Sequence, residues 1–318
     1  MSLNINIPEK TKKFKEDGIK KTIESHFNEI ANEWWRHQIS WTYDAYDTFK
    51  DHDKFLIVIY LIKKTLDTNT KKFKEYSINQ FYTQDKIELE KFNIVEVSNY
   101  FGIPKETTRR KLIELEKKGI IIKIKKKQML NTNIFNLNKQ KNLIKKISTL
   151  LFKFSKMLKK NKLMNRIIEP GEILKHIEKE FTFCLKLYYD LQLKISCCWK
   201  GYFNDLESFN IWALCMTNKS YNSPKEKNKY IKDYSNFIID ESSENGLNGM
   251  TISDMTGIPR ATVLRKLKKL IINKNLIMDN KKRYHPNGFH LKKILLLQNK
   301  NIKELSNFMA KIFNQLEN

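Results

Sequence analysis

The spacing of apolar residues along the chain predicts a mainly helical protein. Over most of its 318 residues, apolar positions recur every three or four residues, and only nine glycines and six prolines interrupt them. Two short apolar runs at 120–122 and 276–278 predict β-strands instead. Long amphipathic helices rich in aromatic residues are predicted at 17–48 and 171–202, and further amphipathic helices at 139–160 and 301–316.

This pattern occurs twice in the chain, in the same order. Residues 97–115 and 252–270 are identical at nine of nineteen positions, with an offset of 155. Apolar residues upstream of this segment recur at an offset of 154, as Phe27 does in Phe181, and those downstream recur at an offset of 158. A period this long is typical of a duplicated domain rather than of a solenoid. The sequence therefore predicts two domains, at 1–160 and 161–318.

Each copy centres on a glycine-isoleucine-proline turn between two short helices. Gly102 suits the left-handed residue that follows a helix, and Ile103 is extended because a proline comes next. Pro104 then begins the second helix, at a position where its missing N–H costs nothing. Helix, tight turn and helix in this order form a helix-turn-helix. Helix-turn-helix units are predicted at 95–118 and 250–274, with second helices at 104–118 and 259–273.

A β-hairpin with a basic tip is predicted to follow each helix-turn-helix. Gly119 and Asn275 are predicted to end the second helices, since glycine and asparagine tolerate the left-handed region. In the first copy the strands are predicted at 120–122 and 133–137, and in the second copy at 276–278 and 283–285. The resulting hairpins, at 120–137 and 276–286, are predicted wings.

The motif resembles the winged helix-turn-helix of bacterial transcription regulators. Both copies share the pattern S-x-x-x-G-I-P-x-x-T-x-x-R-K-L-x-x-L, followed by a strand and a basic hairpin. It is similar to the MarR, IclR and GntR groups, and the MarR layout of about 150 residues fits each half best. The resemblance implies a mainly α fold with small β-hairpin wings and long dimerisation-type helices. Two copies in one chain predict a pseudo-two-fold single-chain dimer that is monomeric in solution.

The charge of the chain favours a nucleic-acid partner, although lysine alone decides little. The formal net charge is +25, but lysine, asparagine and isoleucine are all abundant, as an AT-rich genome would produce. Arginine is more informative, because its planar fork pairs with phosphate and guanine. Five of the seven arginines lie in the repeated motifs or just after them, namely Arg109, Arg110, Arg260, Arg265 and Arg283.

The sequence thus predicts binding of double-stranded DNA by the second helix and the wing of each copy. The arginines are expected to pair with guanine or phosphate, Thr107 and Thr262 to bind phosphate near a helix N-terminus, and Leu264 to contact a thymine methyl group. The wing cations are expected to contact the backbone or the minor groove. The predicted DNA-binding residues are Lys105, Thr107, Arg109, Arg110, Lys125, Lys126, Lys127, Arg260, Thr262, Leu264, Arg265, Lys281, Lys282 and Arg283.

Two other interpretations of these motifs stay open. A plasmid or phage replication initiator also carries two winged domains in one chain, and a winged helix can be a protein-interaction adaptor that binds no DNA. If these residues do not contact DNA, Thr107 and Thr262 could simply cap their helices, and Arg110 and Arg265 could pair with acidic residues of neighbouring helices.

The aromatic residues of the long helices form the other candidate site. The MarR resemblance implies a small-molecule effector pocket between these helices and the winged motif, although aromatic residues at helical spacing are more often core. The chain has no sequence signature of an enzyme, of a metal site or of a cofactor. Its four cysteines are expected to be buried thiols. No signal peptide or membrane span is apparent, so a cytoplasmic protein is expected. The candidate pocket residues are Trp34, Trp35, Trp41, Tyr188, Tyr189 and Trp199.

Overall fold

The computed structural model describes residues 14–71, 75–134, 137–222, 230–233 and 245–317. The remaining parts of the predicted domains, and residues 135–136 of the first predicted wing, lie outside the described residues. We refer to residues 14–160 as the first half and to residues 161–317 as the second half. Both halves are mainly helical with a small antiparallel sheet.

In the first half the elements are α1 (Glu16–Ser25), α2 (Phe27–Phe49), α3 (His52–Lys71), α4 (Ile78–Tyr82), β1 (Lys86–Glu88), α5 (Ile94–Phe101), α6 (Lys105–Lys117), β2 (Ile121–Ile124), β3 (Lys127–Asn131) and α7 (Leu137–Lys160). In the second half they are α8 (Pro170–Lys179), α9 (Phe181–Phe203), α10 (Leu206–Tyr221), α11 (Gly249–Thr256), α12 (Arg260–Ile272), β4 (Leu276–Met278), β5 (Tyr284–Pro286) and α13 (Leu291–Leu316). A single 3₁₀ turn precedes α7 and another precedes α13.

The prediction of one long helix at the start of each half is wrong. The chain forms two helices there, because the backbone leaves the helical region at His26 (φ −129°, ψ 31°) and at Glu180 (φ −98°, ψ 40°). The apolar pattern runs through both breaks, since the helices on either side bury residues in one core. Periodicity alone therefore could not reveal the change of direction. The later amphipathic helices do form, but α13 begins at Leu291, ten residues before the predicted start at 301.

The two halves pack against each other through long helices. The first helix of each half lies against the last helix of the other, as α1 does on α13 and α8 on α7. The third helix of each half lies against the second helix of the other, as α3 does on α9 and α10 on α2. Aromatic rings fill the centre of this interface, where Trp35 of α2 lies 6.4 Å from both Trp199 and Trp212. One continuous core thus joins both halves.

The predicted wings form, with one strand displaced. In the first wing β2 pairs with β3 through Ile124 and Lys127, so the return strand lies at Lys127–Asn131 and not at 133–137. Lys125 adopts a left-handed conformation (φ 56°) and allows a two-residue tip, which closes the hairpin early. The sequence analysis also missed β1, which pairs with the outer edge of β3.

The second wing is smaller. Leu276 of β4 is paired with Pro286 of β5, and Met278 is paired with Tyr284, which leaves a five-residue loop between the strands. Where the first half has β1, the second has a single bridge between Leu247 and Tyr284.

Candidate nucleic-acid interface

The turn of each helix-turn-helix is fixed by a glycine and a serine. Gly102 and Gly257 take up the left-handed conformation expected of them, with φ of 61° and 68°. The hydroxyl of Ser98 donates to the carbonyl of Ile103 at 2.6 Å, and Ser253 donates to Ile258 at 2.7 Å in the second copy. This bond explains why serine recurs in the motif, a role that the sequence alone did not reveal.

We call α6 and α12, the second helices of the two helix-turn-helix units, the recognition helices. The residue that ends α12 is not the one predicted. Lys274, at the position equivalent to Gly119, takes the left-handed conformation with φ of 55°, and Asn275 does not. The side chain of Asn275 instead accepts a hydrogen bond from the hydroxyl of Tyr202 at 2.7 Å. Asn275 is thus buried and tied to α9, which is a packing role.

A buried lysine anchors each recognition helix to the helical core. Lys111 of α6 lies 2.5 Å from the carboxylate of Asp51, and Lys266 of α12 lies 2.6 Å from that of Asp205. Each aspartate also caps the helix that follows it, since its other oxygen accepts from the N–H of Lys54 or Ser208. We call these contacts the recognition-helix ion pairs. They give the repeated lysine of the motif a structural role that the sequence analysis did not assign.

Apart from that lysine, the basic residues of α6 and α12 are exposed. The guanidinium-bearing side chains of Arg109 and Arg110 are 57% and 71% exposed. Among the predicted contact residues on these two helices, Thr107 and Thr262 are half-buried and the others are exposed. The exposed predicted residues are Lys105, Arg109, Arg110, Arg260, Leu264 and Arg265.

The N-termini of both recognition helices lack a side-chain cap. Pro104 and Pro259 occupy the cap positions and make no capping hydrogen bond. Within the described part of the chain the hydroxyls of Thr107 and Thr262 also have no hydrogen-bond partner, so neither acts as a cap. Uncapped N–H groups and free hydroxyls at a helix N-terminus suit a phosphate group.

The arginines of the recognition helices make weak contacts or none. Arg109 lies 3.6 Å from Glu106 and Arg110 lies 3.9 Å from Glu114, each on its own exposed helix face. Arg260 and Arg265 form no ion pair among the described residues. Exposed ion pairs of this kind contribute little, so all four guanidinium groups can turn towards a ligand. The alternative in which Arg110 and Arg265 bind neighbouring helices is not what the structure contains.

The first wing presents lysines at its tip. Lys125 and Lys126 form the two-residue turn and are exposed, and no ion pair involves them in the described ranges. Lys127 belongs to β3 and lies 2.7 Å from Glu88 of β1, so the third strand holds this side chain. The free charges of this wing are therefore concentrated at the turn.

The second wing is organised by an acidic residue. Asp279 accepts hydrogen bonds from the N–H groups of Lys281 and Arg283 and from the guanidinium of Arg283, at 2.8–2.9 Å. The backbone N–H of Arg283, assisted by His285, holds the pKa of Asp279 well below its usual range. Of the three predicted cations, Arg283 is thus engaged within the loop, whereas Lys281 and Lys282 are exposed.

The six candidate pocket residues are all in the core. Their exposed fractions lie between 1% and 6%, and several contact one another, as Trp41 meets Tyr188 edge to face with ring centroids 6.4 Å apart. The hydroxyl of Tyr188 also meets Nε2 of His37 at 2.9 Å. Trp41 and Tyr189 line an open surface groove beside Lys139 and Lys146, and Tyr188 lines a small apolar cavity with Ile144 and Phe308. A small-molecule effector stays a prediction.

A comparison with known families matches the first winged motif. A family model described as the DeoR-like helix-turn-helix domain matches residues 88–126, from the end of β1 to the tip of the first wing. Residues 88–126 thus carry a DeoR-like helix-turn-helix domain. No curated protein and no solved structure matches the chain. The DeoR-like domain supports DNA as the partner and indicates a transcription regulator rather than an enzyme.

Two further features of the described residues bear on the predicted partners. None of the described helices has a stretch long and apolar enough to cross a membrane. In the same ranges, no three histidine, cysteine or acidic side chains come together as metal ligands.

Proposed function

We propose that the chain is a sequence-specific transcriptional regulator that binds double-stranded DNA as a single-chain pseudo-dimer. The recognition helices at 104–118 and 259–273 enter successive major grooves, and the wings contact the flanking backbone or minor groove. The half-sites form an imperfect inverted repeat, with centres about 10 bp apart. The layout of each half is MarR-like, with the second half taking the place of a partner subunit.

The observation that carries the proposal is that both recognition helices are anchored and exposed in the same way. Both are anchored from behind by an ion pair of the same geometry, and both leave an uncapped N-terminus and unburied arginines on the outer face. The arginines near both uncapped helix ends either form no ion pair among the described residues or lie 3.6–3.9 Å from an acidic residue of their own helix, which leaves them available to an anionic partner. DNA supplies the missing acceptors, since its phosphates fit helix N-termini and its guanines fit arginine.

The spacing and packing of the elements support a duplicated unit. Helix α9 begins and ends 154 residues after α2, and α12 begins and ends 155 residues after α6. Contacts between the halves are reciprocal, since α1 on α13 is matched by α8 on α7. Reciprocal contacts of equivalent surfaces are the mark of a two-fold interface.

The test is a DNA-binding measurement on the intact chain. The variant in which Arg109, Arg110, Arg260 and Arg265 become alanine is expected to lose at least about a hundredfold in affinity, because each charged contact is worth more than 1 kcal/mol. Its matched control removes the same charge from exposed positions of α7 and α8, with Lys153, Lys156, Lys175 and Lys179 changed to alanine, and is expected to lose little. Fluorescence anisotropy on duplexes from the gene's own upstream region, over 50–300 mM salt, measures both.

The same experiment distinguishes the competing interpretations. Equal, strongly salt-dependent losses in the two quadruple variants would indicate a general polyelectrolyte effect of the +25 charge. No loss in the arginine variant would remove the basis for a DNA-binding function and favour an adaptor. The mass of the complex in solution tests the pseudo-dimer, which is expected to bind one duplex as a single chain.

A further inference from the structure

The two recognition helices differ in chemistry at two outward positions of their first two turns. At the offset of 155 the other outward residues of 105–110 keep their type, whereas Glu106 is replaced by Ala261 and Arg109 by Leu264. Helix α6 has five basic and three acidic residues, and α12 has five basic and none. The conserved outward pairs are Lys105 with Arg260, Thr107 with Thr262, and Arg110 with Arg265.

Packing does not determine which residues occupy positions 106 and 109 of α6. The side chains of Glu106 and Arg109 are 82% and 57% exposed, and their closest approach to each other is 3.6 Å. They lie one turn apart on the same face near the helix N-terminus, which is the part of a recognition helix that meets base edges. Ligand binding, rather than packing, can therefore determine the identities of Glu106 and Arg109.

The second pair forms a small apolar surface at the same place. Leu264 is 39% exposed, and it leans towards Gly249, where a Cβ atom would lie 3.1 Å from its Cδ2. Ala261, one turn before it, is also exposed. Neither side chain can donate or accept a hydrogen bond. The one apolar group on a base edge in the major groove is the methyl group of thymine.

Resting on the proposed function, we infer that the two halves read different bases at matching positions. Helix α6 reads a G·C pair or adjacent G·C pairs, with Arg109 donating to O6 and N7 of guanine and Glu106 accepting from the N4 amine of cytosine. A carboxylate among phosphates is unfavourable unless it meets a donor, so Glu106 makes this half-site selective. Helix α12 reads thymine methyl groups through Ala261 and Leu264, so the operator is asymmetric.

The first test removes single methyl groups from the DNA and leaves the protein intact. Once selection from random duplexes has given a binding site, thymine is replaced by uracil in one half-site at a time. The wild-type chain is expected to lose about fourfold in affinity for each contacted methyl group, and only in the half-site bound by α12. The variant Leu264→Ala is expected to be insensitive at one of these positions, with unfolding measured alongside to show that it is folded.

The second test gives both recognition helices the same residues at the two positions where they differ. The double variant Glu106→Ala/Arg109→Leu gives α6 the residues of α12, and it is expected to select a symmetric repeat of the thymine half-site, with a preference shifted by about tenfold or more. The reciprocal variant Ala261→Glu/Leu264→Arg is expected to select a symmetric G·C site. Since Leu264 leans on Gly249, agreement of both variants is needed before the shift is assigned to base reading.

The outcomes separate this inference from the proposed function. If wild-type protein selects a symmetric site, or if the double variant selects the same asymmetric site as wild type, the inference is wrong while DNA binding stands. Equal sensitivity to uracil in both half-sites also overturns it. If the wild-type chain enriches no sequence at all, the proposed sequence-specific function fails.

Discussion

The two winged motifs share the contacts that hold the recognition helix and differ in those around it. Each has a serine bond across the turn, a left-handed glycine and a lysine–aspartate pair. In the first motif the ring of Tyr100 also packs against that of Tyr60 of α3, with centroids 4.5 Å apart and the planes tilted by 43°. The equivalent residues of the second motif are Met255, which is 49% exposed, and Leu214. The shared contacts thus define what a recognition helix requires here, and the others are free to vary.

The largest effect on stability is expected from the recognition-helix ion pairs. The variants Lys111→Met and Lys266→Met each leave an aspartate without its cation at a mostly buried site, which should cost about 3 kcal/mol of unfolding free energy. Lys111 also lies 3.5 Å from Asp53, but Asp53 keeps Lys200 as a partner at 2.8 Å, so the two losses should still agree to within about 1 kcal/mol. Urea unfolding of each variant measures them.

A second change in each background shows whether the charge is responsible. Asp51→Asn keeps the cap of α3 and removes the uncompensated carboxylate, so Asp51→Asn/Lys111→Met should recover part of the loss. Asp205→Asn/Lys266→Met should behave likewise. A large loss in one half only would show that the two motifs are not anchored alike.

The loss of folding stability at low pH should depend on His37, a histidine that only the first half has at this position. Burial, assisted by the charge of Lys146, lowers the pKa of His37 from 6.5 to about 4, so the folded chain holds a neutral imidazole. Between pH 6.5 and pH 4 the unfolded chain binds a proton that the folded chain does not. This contribution to stability is complete above pH 6.5 and should fall by about 2 kcal/mol on reaching pH 5.

The equivalent of His37 in the second half is Leu191, which provides the matched variant. His37→Leu should flatten the stability profile between pH 6.5 and pH 5. Tyr188→Phe removes the hydrogen bond to Nε2 but keeps the imidazole buried, so it should keep most of the slope. Thermal unfolding over this range checks both, and an unchanged slope in His37→Leu would assign the acid loss to other groups.

Most of the local structure around the motif could be predicted from the sequence, because it is set by neighbours in the chain. Gly102, Ile103 and Pro104 each restrict the backbone themselves, and the structure forms helix, turn and helix where they require it. The first wing was predicted less well. Its tip depends on Lys125 adopting a positive φ, which lysine rarely does and which its sequence does not signal.

Contacts between distant residues could not be predicted. Lys111 and Asp51 are sixty positions apart, and a lysine in a basic motif resembles a solvent-exposed DNA contact until the fold buries it. The break at His26 was hidden because the helices on both sides of it face one core. The available signal was the recurrence of both partners, since Asp51 and Lys111 recur in the second copy as Asp205 and Lys266.

The left-handed glycines should differ in cost although their backbones agree. Gly102→Ala places a Cβ atom in open space, so it pays only for the positive φ, about 1 kcal/mol. Gly257→Ala meets the ring of Tyr43 at 3.1 Å as well, and should cost about 1 kcal/mol more. Urea unfolding measures both variants. In a Tyr43→Ala background the two costs should become equal, and a difference that persists would place its cause outside this contact.

The smallest effect is expected from the serines of the turn, and it should be graded by burial. Ser98 is buried and Ser253 is half-buried, while their bonds to the carbonyls of Ile103 and Ile258 differ by only 0.1 Å. Alanine at Ser98 leaves the carbonyl of Ile103 in a dry site with only the long contact from the Thr108 hydroxyl at 3.5 Å, at a cost of about 1 kcal/mol, and water can replace the lost donor more easily at Ser253. Ser98→Ala should therefore be the more destabilising variant, by roughly half of that cost. Hydrogen exchange of the amides in α5 and α11 has the sensitivity to resolve it, and a reversed order would show that burial does not set the strength of this contact.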